Sequence, residues 1–176
     1  MLAKRSELEI REFSILRSKC TFQPVTEVSG DMSCNEFMAR YPIDIDFDIH
    51  QNKEEGVYFV FVSVKINPDN QAGYSIMAEG CGVFNMNTKV DEDTQLDALV
   101  LHSGVNICIT NLRAYIANMT ASYPMGKYNF HLIDMMDLLN NKRLRLQEKV
   151  KKRRNNPLQH CISLASDNPG LFFCTF

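Results

Sequence analysis

The stretch from Tyr115 to Leu139, YIANMTASYPMGKYNFHLIDMMDLL, decides the fold. Apolar residues recur at spacings of three and four from Val105 to Met119, which predicts an amphipathic helix that ends before Tyr123-Pro124. After a loop containing Gly126, the apolar residues from Leu132 onward predict a second helix that runs as far as Arg154. Because the stretch contains no recognisable catalytic residue set, it favours a binding protein over an enzyme.

Four segments with the pattern of β-strands precede this stretch, separated by turns and by a predicted loop from Gln23 to Arg40. Apolar residues alternate in each segment, and a slip in the first one near Glu12 indicates a β-bulge. The strands are predicted at residues 8–22, 41–50, 57–66 and 74–86. Four strands followed by two helices predict a single α+β domain.

The third predicted strand, VYFVFVSVKI at Val57 to Ile66, is apolar on both faces for much of its length. A strand with this pattern lies centrally in a sheet and is covered on both sides. One layer of helices covers only one face, so the pattern predicts an obligate oligomer.

Charge is distributed unevenly along the 176 residues, 45% of which are hydrophobic. Residues 1–140 contain 11 Lys and Arg against 19 Asp and Glu, whereas residues 141–176 contain 8 against 2. An acidic body therefore carries a basic tail. Its cationic run at 142–154 fits either a solvated helix end or attraction to nucleic acid or an acidic membrane surface.

The N-terminal residues include no apolar run of signal-peptide length, and no segment approaches the length of a membrane span. The cysteines show no C-x-x-C pairing, which favours free, mostly buried thiols in a reducing compartment. They are Cys20, Cys34, Cys81, Cys108, Cys161 and Cys174. We therefore expect a protein of the bacterial cytoplasm.

Three patterns that resemble functional sites are better explained by structure. The spacing of Asp44, Asp46 and Asp48 is that of calcium ligands in an EF-hand loop. Such a loop needs Gly at the position that Ile49 occupies, so the three aspartates fit the solvent-exposed face of a strand better. Gly80-Cys81-Gly82 lies within a strand, which favours close packing over a phosphate loop or a nucleophile. The four histidines lack metal-ligand spacing, and we expect no metal and no cofactor.

The methionine-rich apolar stripe of the helices has two interpretations. Met119, Met135 and Met136 fit a packed core, or a pliable apolar groove in which flexible thioether chains adapt to dissimilar ligands. In the second case, aromatic residues at the junction of strand and helix would contribute most of the contact area: Phe84, Tyr123, Tyr128 and Phe130.

With this order of elements, the chain resembles the SecB export chaperones over residues 8–140. Its points of likeness are C-T-F-Q-P at the end of the first strand, V-Y-F-V-F-V-S-V, and G-C-G-V-F where the family has Gly-Gly-Ile-Phe. Arg113, Ile116 and Met119 leading to Tyr123-Pro124 complete the likeness.

The resemblance implies a four-stranded antiparallel sheet with two helices on one face, assembled as a dimer of dimers. It also implies an ATP-independent chaperone that holds unfolded or partly folded polypeptides, such as preproteins, in apolar grooves. The groove residues expected from the resemblance and from the aromatic pattern are Val83, Phe84, Tyr123, Tyr128, Phe130, Leu132, Met135 and Met136.

The chain departs from export-type SecB members in two places. Acidic residues that dock the translocation motor SecA in those members correspond to Lys19, Gln23 and Met77, and the acidic tail of the family is replaced by a basic one. SecA docking is therefore in doubt. A specialised SecB-like protein that guards an antitoxin fits these departures.

The sequence thus predicts a chaperone domain at 1–142 and a basic helical extension with a tail at 143–176. Two other functions stay open. One is a small α+β enzyme, which would need convergent titratable groups that the apolar stripe lacks. The other is an RNA- or membrane-surface-binding module that uses the basic tail, without sequence-specific nucleic-acid recognition or membrane insertion.

Overall fold

The computed structural model describes residues 2–3, 5–25, 33–86 and 99–155. Within these ranges the elements are β1 (Leu8–Gln23), α1 (Cys34–Met38), β2 (Ile43–Asn52), β3 (Val57–Ile66), β4 (Gly73–Met86), α2 (Val105–Thr120, preceded by a π-helical turn at Val100–Gly104) and α3 (Met135–Asn155). The chain divides into two compact units, Met1–Met135 and Met136–Phe176.

The four strands form one antiparallel sheet in the order β1-β4-β3-β2. The predicted four-stranded α+β fold is therefore confirmed. The register of β1 against β4 shifts between Ile10 and Glu12, where the sequence predicts a bulge. It shifts again between Ile15 and Arg17, where the sequence does not predict a bulge. The residue in this second shift, Leu16, is 56% exposed.

Alternation places the apolar residues of β2 on the covered face and its aspartates on the outer face. Ile45 and Phe47 are buried, whereas Asp44, Asp46 and Asp48 are exposed. These three outer aspartates belong to a strand that pairs with β3 along its whole length. Because an EF-hand needs a loop that wraps around the ion, this backbone confirms the strand interpretation.

Helix α2 packs on the covered face of the sheet, where Gly82 of β4 lets the helix approach closely and Gly80 makes room for Phe13 of β1. A Cβ atom on Gly82 would lie 2.5 Å from the Cys108 Sγ atom of the helix, and one on Gly80 would lie 2.5 Å from the Phe13 ring. Real Cβ atoms essentially never approach so closely, so the close-packing role predicted for this glycine pair is confirmed.

The opposite face of the sheet carries apolar side chains at its centre. On β3, Phe59 is half-buried and Phe61 is 36% exposed, whereas Val60 and Val62, which face α2, are buried. His50 of β2 stands edge-on to the Phe61 ring at 5.6 Å between ring centroids. The central position of β3 and its apolar character on both faces are thus confirmed.

Two predicted boundaries are wrong. The expected loop from Gln23 to Arg40 contains α1, and the second C-terminal helix begins at Met135 rather than at Leu132. Residues 87–98 and the C-terminal residues 156–176, which include Cys161 and Cys174, lie outside the described residues. Among the helices that are described, none has the length and apolar character needed to span a membrane.

Candidate functional site

An apolar cleft opens where β1 ends, beside α1 and the loop that follows α2. Its volume is about 190 Å³ and it is open to solvent. A cavity of about 150 Å³ is large enough for benzene, so this cleft can hold one aromatic or large aliphatic side chain. The lining residues are Phe22, Val25, Ser33, Cys34, Phe37, Pro124 and Met125.

One wall of the cleft is α1, a single helical turn fixed by a capping box. The backbone N–H of Glu36 donates to Ser33 Oγ at 3.3 Å, and the Ser33 N–H donates to Glu36 Oε2 at 2.9 Å. The Ser33 N–H and the Ser33 hydroxyl both donate to the Glu36 carboxylate and lower the pKa of that carboxyl. The turn directs Phe37 into the cleft and buries Met38 beneath it.

Each aromatic wall residue rests against a tyrosine. Phe22 stands edge-on to Tyr74 with ring centroids 5.9 Å apart, and Phe37 stands edge-on to Tyr41 at 5.7 Å. Tyr128 in turn stacks on Tyr41 at 6.3 Å. Because Tyr41, Tyr74 and Tyr128 are all buried, closely packed aromatic rings support the two walls Phe22 and Phe37 from behind.

The Tyr74 hydroxyl fixes the third wall. It donates to the Gly126 carbonyl at 2.9 Å and accepts from the Met125 N–H at 2.9 Å, so it holds both ends of the bend that carries Met125. The residue before Tyr74 is a glycine, which makes room for the Tyr41 side chain. Gly73 has φ of 93°, and a Cβ atom there would overlap the Tyr41 hydroxyl.

Helix α2 holds the extended segment 127–134 that follows the cleft. The Thr120 hydroxyl accepts from the Tyr128 N–H at 2.8 Å, and the Arg113 side chain donates to the carbonyls of Phe130 (3.0 Å) and His131 (3.1 Å). The guanidinium also lies 5.2 Å from the centroid of the Phe130 ring. The segment is therefore anchored, although its next apolar residue, Leu132, is 89% exposed.

The chemistry of the cleft favours contact rather than catalysis. Among the described residues, its polar lining is limited to Ser33, which is engaged in the capping box, and Cys34, with no histidine, lysine or carboxylate. Elsewhere, burial raises the pKa of the Cys81 thiol and raises that of Cys108 to about 12, so both thiols stay protonated near neutral pH. Within the described ranges, no cluster of His, Cys, Asp and Glu could hold a metal ion.

The cysteines that the structure describes carry free thiols, as predicted. Cys81 and Cys108 are buried, Cys20 is half-buried and Cys34 is exposed. Cys34 is thus the accessible thiol within the cleft lining, and it serves as a chemical reporter for whatever occupies the cleft.

The structure places the eight predicted groove residues in different environments. Three of them are buried in this conformation: Phe84, Tyr128 and Phe130. The ring of Tyr123, which precedes the cleft residue Pro124, has its centroid 6.0 Å from that of Tyr74. Val83 lies on the opposite face of β4 from Phe84, so these two do not line one surface.

The remaining predicted groove residues lie at or near the start of α3. Leu132 and Met136 are exposed, at 89% and 62%, and Met135 is half-buried. The roles of all eight residues in binding stay predictions.

Sequence reasoning missed the cleft walls Phe22, Val25, Phe37 and Met125. A signal for α1 was present, because Ser33 and Glu36 have the S-x-x-E spacing of a capping box just before Phe37-Met38. The Phe22 position belongs to the C-T-F-Q-P motif of the SecB resemblance, but its contact with Tyr74 depends on strand pairing.

No protein-family model and no curated protein matches the sequence. Among solved structures, the chain is similar to the SecB-like chaperone of Mycobacterium tuberculosis in complex with a ChAD peptide from an antitoxin. The two share 14% identity with a TM-score of 0.54, over 73% of this chain and 88% of that one. The chain therefore has the SecB-like fold, which confirms the resemblance at the level of architecture.

Proposed function

We propose that this protein is a holding chaperone, and not an enzyme, that binds unfolded or partly folded polypeptides without ATP. The observation that carries the proposal is an open, aromatic-walled cleft, sized for one large side chain and lacking groups for bond-breaking chemistry. Folded proteins bury their large apolar side chains, so such a cleft selects chains that have not yet folded.

The walls of the cleft explain both the low affinity of a single cleft and its weak preference for client sequence. Burying one large apolar side chain contributes about 1.5–3 kcal/mol, so a single cleft binds weakly and several apolar contacts along one client are needed. Phe22 and Phe37 provide rigid surfaces, while the flexible thioether of Met125 adapts to aliphatic or aromatic partners. Weak sequence preference follows.

Segment 127–134 provides the second apolar contact of the proposed site. It begins directly after the cleft wall, it is anchored by Arg113, and it carries the exposed Leu132 near its end. A client whose first large side chain enters the cleft would place its following residues along this segment. The predicted groove residues Tyr123 and Leu132 belong to this part of the site.

The likeness to a chaperone solved with an antitoxin peptide supports a dedicated client of the same kind. The residues at two positions where export-type members dock SecA also support a dedicated client rather than a role in export. Lys19 and Met77 are opposite each other on adjacent strands, so a cation and an apolar residue stand where acidic residues are expected. A short apolar segment of an antitoxin is the client that these features favour over export preproteins.

The proposed active form is a homotetramer. On the outer face of the sheet, Phe59, Phe61 and Val83 are half-buried or exposed within one chain. Covering such a patch by a second copy removes apolar surface from water. Several clefts on one particle would also bind one client at several points, which raises the affinity far above that of a single cleft.

The test is to compare two phenylalanines that lie on opposite sides of the molecule. Phe37→Ser removes a cleft wall, whereas Phe61→Ser is a matched change on the outer face. We expect Phe37→Ser to weaken binding of a permanently unfolded, carboxymethylated polypeptide about tenfold or more, since roughly 1.5–3 kcal/mol of apolar contact is lost. With a short peptide that carries one large apolar side chain and so occupies one cleft, Phe61→Ser should leave the affinity unchanged while Phe37→Ser lowers it, and equal losses of that affinity in both variants would contradict the proposal.

A further inference from the structure

Helix α3 is strongly basic, and this charge has no part in the proposed binding of clients at the cleft. Residues 142–154 contain eight Lys and Arg against one acidic residue, Glu148, whereas residues 1–140 are net acidic. The backbone is helical as far as Asn155, and every residue from Arg143 to Lys151 is exposed. The cations from Arg143 to Lys151 are therefore displayed on a helix in solvent.

The spacing of the cations gives this helix a continuous basic face. Lys142, Arg145 and Lys149 follow one another at three and four residues, and Lys152 continues the same spacing. At 1.5 Å of rise per residue, the face extends over about 15 Å with one cation roughly every 5 Å. Like charges at these spacings destabilise an isolated helix, and an anionic polymer along the face would relieve that repulsion.

Within the cationic stretch of α3, residues 142–154, the apolar residues do not form a face that could lie in a membrane surface. Leu146 and Val150 lie on one side, but Leu144 lies about 160° away from Leu146, at about 100° of rotation per residue. Arg143 lies beside Leu146 and Val150 on that side, and the helix contains no aromatic residue. Interfacial helices need one wide apolar face with bulky anchors, so an acidic lipid surface is the poorer partner.

We infer that α3 binds the sugar-phosphate backbone of single-stranded nucleic acid. Arg143 and Lys151 lie on other sides of the helix than the basic face. A flexible single strand can contact cations on more than one side of the helix, whereas a duplex groove contacts only one side. Without aromatic residues for base stacking, the contact is to phosphates and does not discriminate sequence or sugar. The acidic body repels the same polymer, so binding is confined to α3.

The experiment uses the full chain and a fluorescein-labelled 20-mer of uridylate, with a 20-mer of thymidylate and anionic phosphatidylserine vesicles as further probes. Anisotropy should show binding of both oligonucleotides with similar affinity. If six or seven phosphates are neutralised, the logarithm of the binding constant should fall with the logarithm of salt concentration with a slope of about −4 to −5. No binding at low salt would overturn the inference.

The deciding variant replaces Lys142, Arg145 and Lys149 by Gln, which keeps a good helix former at each position. Removing three contacts should reduce the salt slope by about 2, with a matching loss of affinity. The charge-matched control replaces Lys19, Lys53 and Lys65 of the acidic body by Gln and should keep the salt slope of the unaltered chain, with at most a small loss of affinity from the more acidic body.

Three results would contradict the inference: equal losses in the two triple variants, an unchanged salt slope in the α3 variant, or binding to vesicles without binding to oligonucleotides. Because α3 contributes nothing to the cleft lining, the α3 variant should retain unfolded-polypeptide binding. Failure of this inference and failure of the chaperone proposal are therefore distinguishable.

Discussion

The Tyr74 hydroxyl links the sheet to the cleft, and removing it as Tyr74→Phe leaves the aromatic ring in place. Two hydrogen bonds disappear, one to the Gly126 carbonyl and one from the Met125 N–H, both 2.9 Å long. Each is worth about 0.5–1.5 kcal/mol net, and water can partly replace them because Met125 and Gly126 are only half-buried. We expect the free energy of unfolding in urea to fall by about 1–2 kcal/mol.

The same change should weaken client binding. The wall carrying Met125 would be in the binding-competent position for a smaller fraction of the time, and the apparent Kd rises in inverse proportion to that fraction. We expect the competent fraction to fall by up to about fivefold, which would raise the Kd for the carboxymethylated polypeptide by the same factor, equivalent to about 1 kcal/mol of binding free energy.

The matched control is Tyr115→Phe, which removes one exposed hydrogen bond to Ser18, at 2.7 Å, outside the cleft lining. It should leave the Kd unchanged. If Tyr74→Phe lost stability but bound the polypeptide with unchanged Kd, the fixed wall would have no role in binding.

Three further predictions concern assembly, the outer aspartates and α3. Light scattering at micromolar concentration should give the mass of a tetramer, since one chain leaves the outer face of β3 partly uncovered, and a monomeric mass would contradict this. Calcium should leave the melting temperature unchanged, because a ligand of the folded state must raise it, so a clear rise would overturn the strand-face interpretation. Met136→Asp should fold normally and bind less unfolded polypeptide, because a side chain at a position 62% exposed keeps its hydration until a client arrives. Loss of the fold would assign Met136 to the core, and unchanged binding would exclude it from the site.

The sheet was predictable because its strands alternate clearly. Ile45 and Phe47 interleave with the outer aspartates, and β3 is apolar on both faces, which fixes both its central position and its need for cover. The close approach of α2 was visible in Gly82 for the same local reason, since a glycine on the covered face of a strand has no side chain to keep a helix away.

Segment 127–134 shows where apolar spacing misled. Leu132 and Ile133 continue the apolar pattern of α3, yet the helix begins only at Met135. The backbone before them is engaged elsewhere, through hydrogen bonds to Thr120 and Arg113. The alternation of buried Tyr128 and Phe130 with exposed neighbours was the local sign of an extended chain. The cleft itself was not predictable, since it joins residues from three separate parts of the chain.

Protection of Cys34 by a bound client tests the central claim most directly, because this exposed thiol lines the cleft. The protein would carry Ser at Cys20, Cys161 and Cys174, while Cys81 and Cys108 are buried, and its alkylation would be followed with a maleimide. With unfolded polypeptide at about ten times its Kd, occupation of the cleft predicts alkylation roughly tenfold slower, and an added folded protein should give no change. An unchanged alkylation rate while the polypeptide is demonstrably bound would contradict the account, because the client would then lie elsewhere.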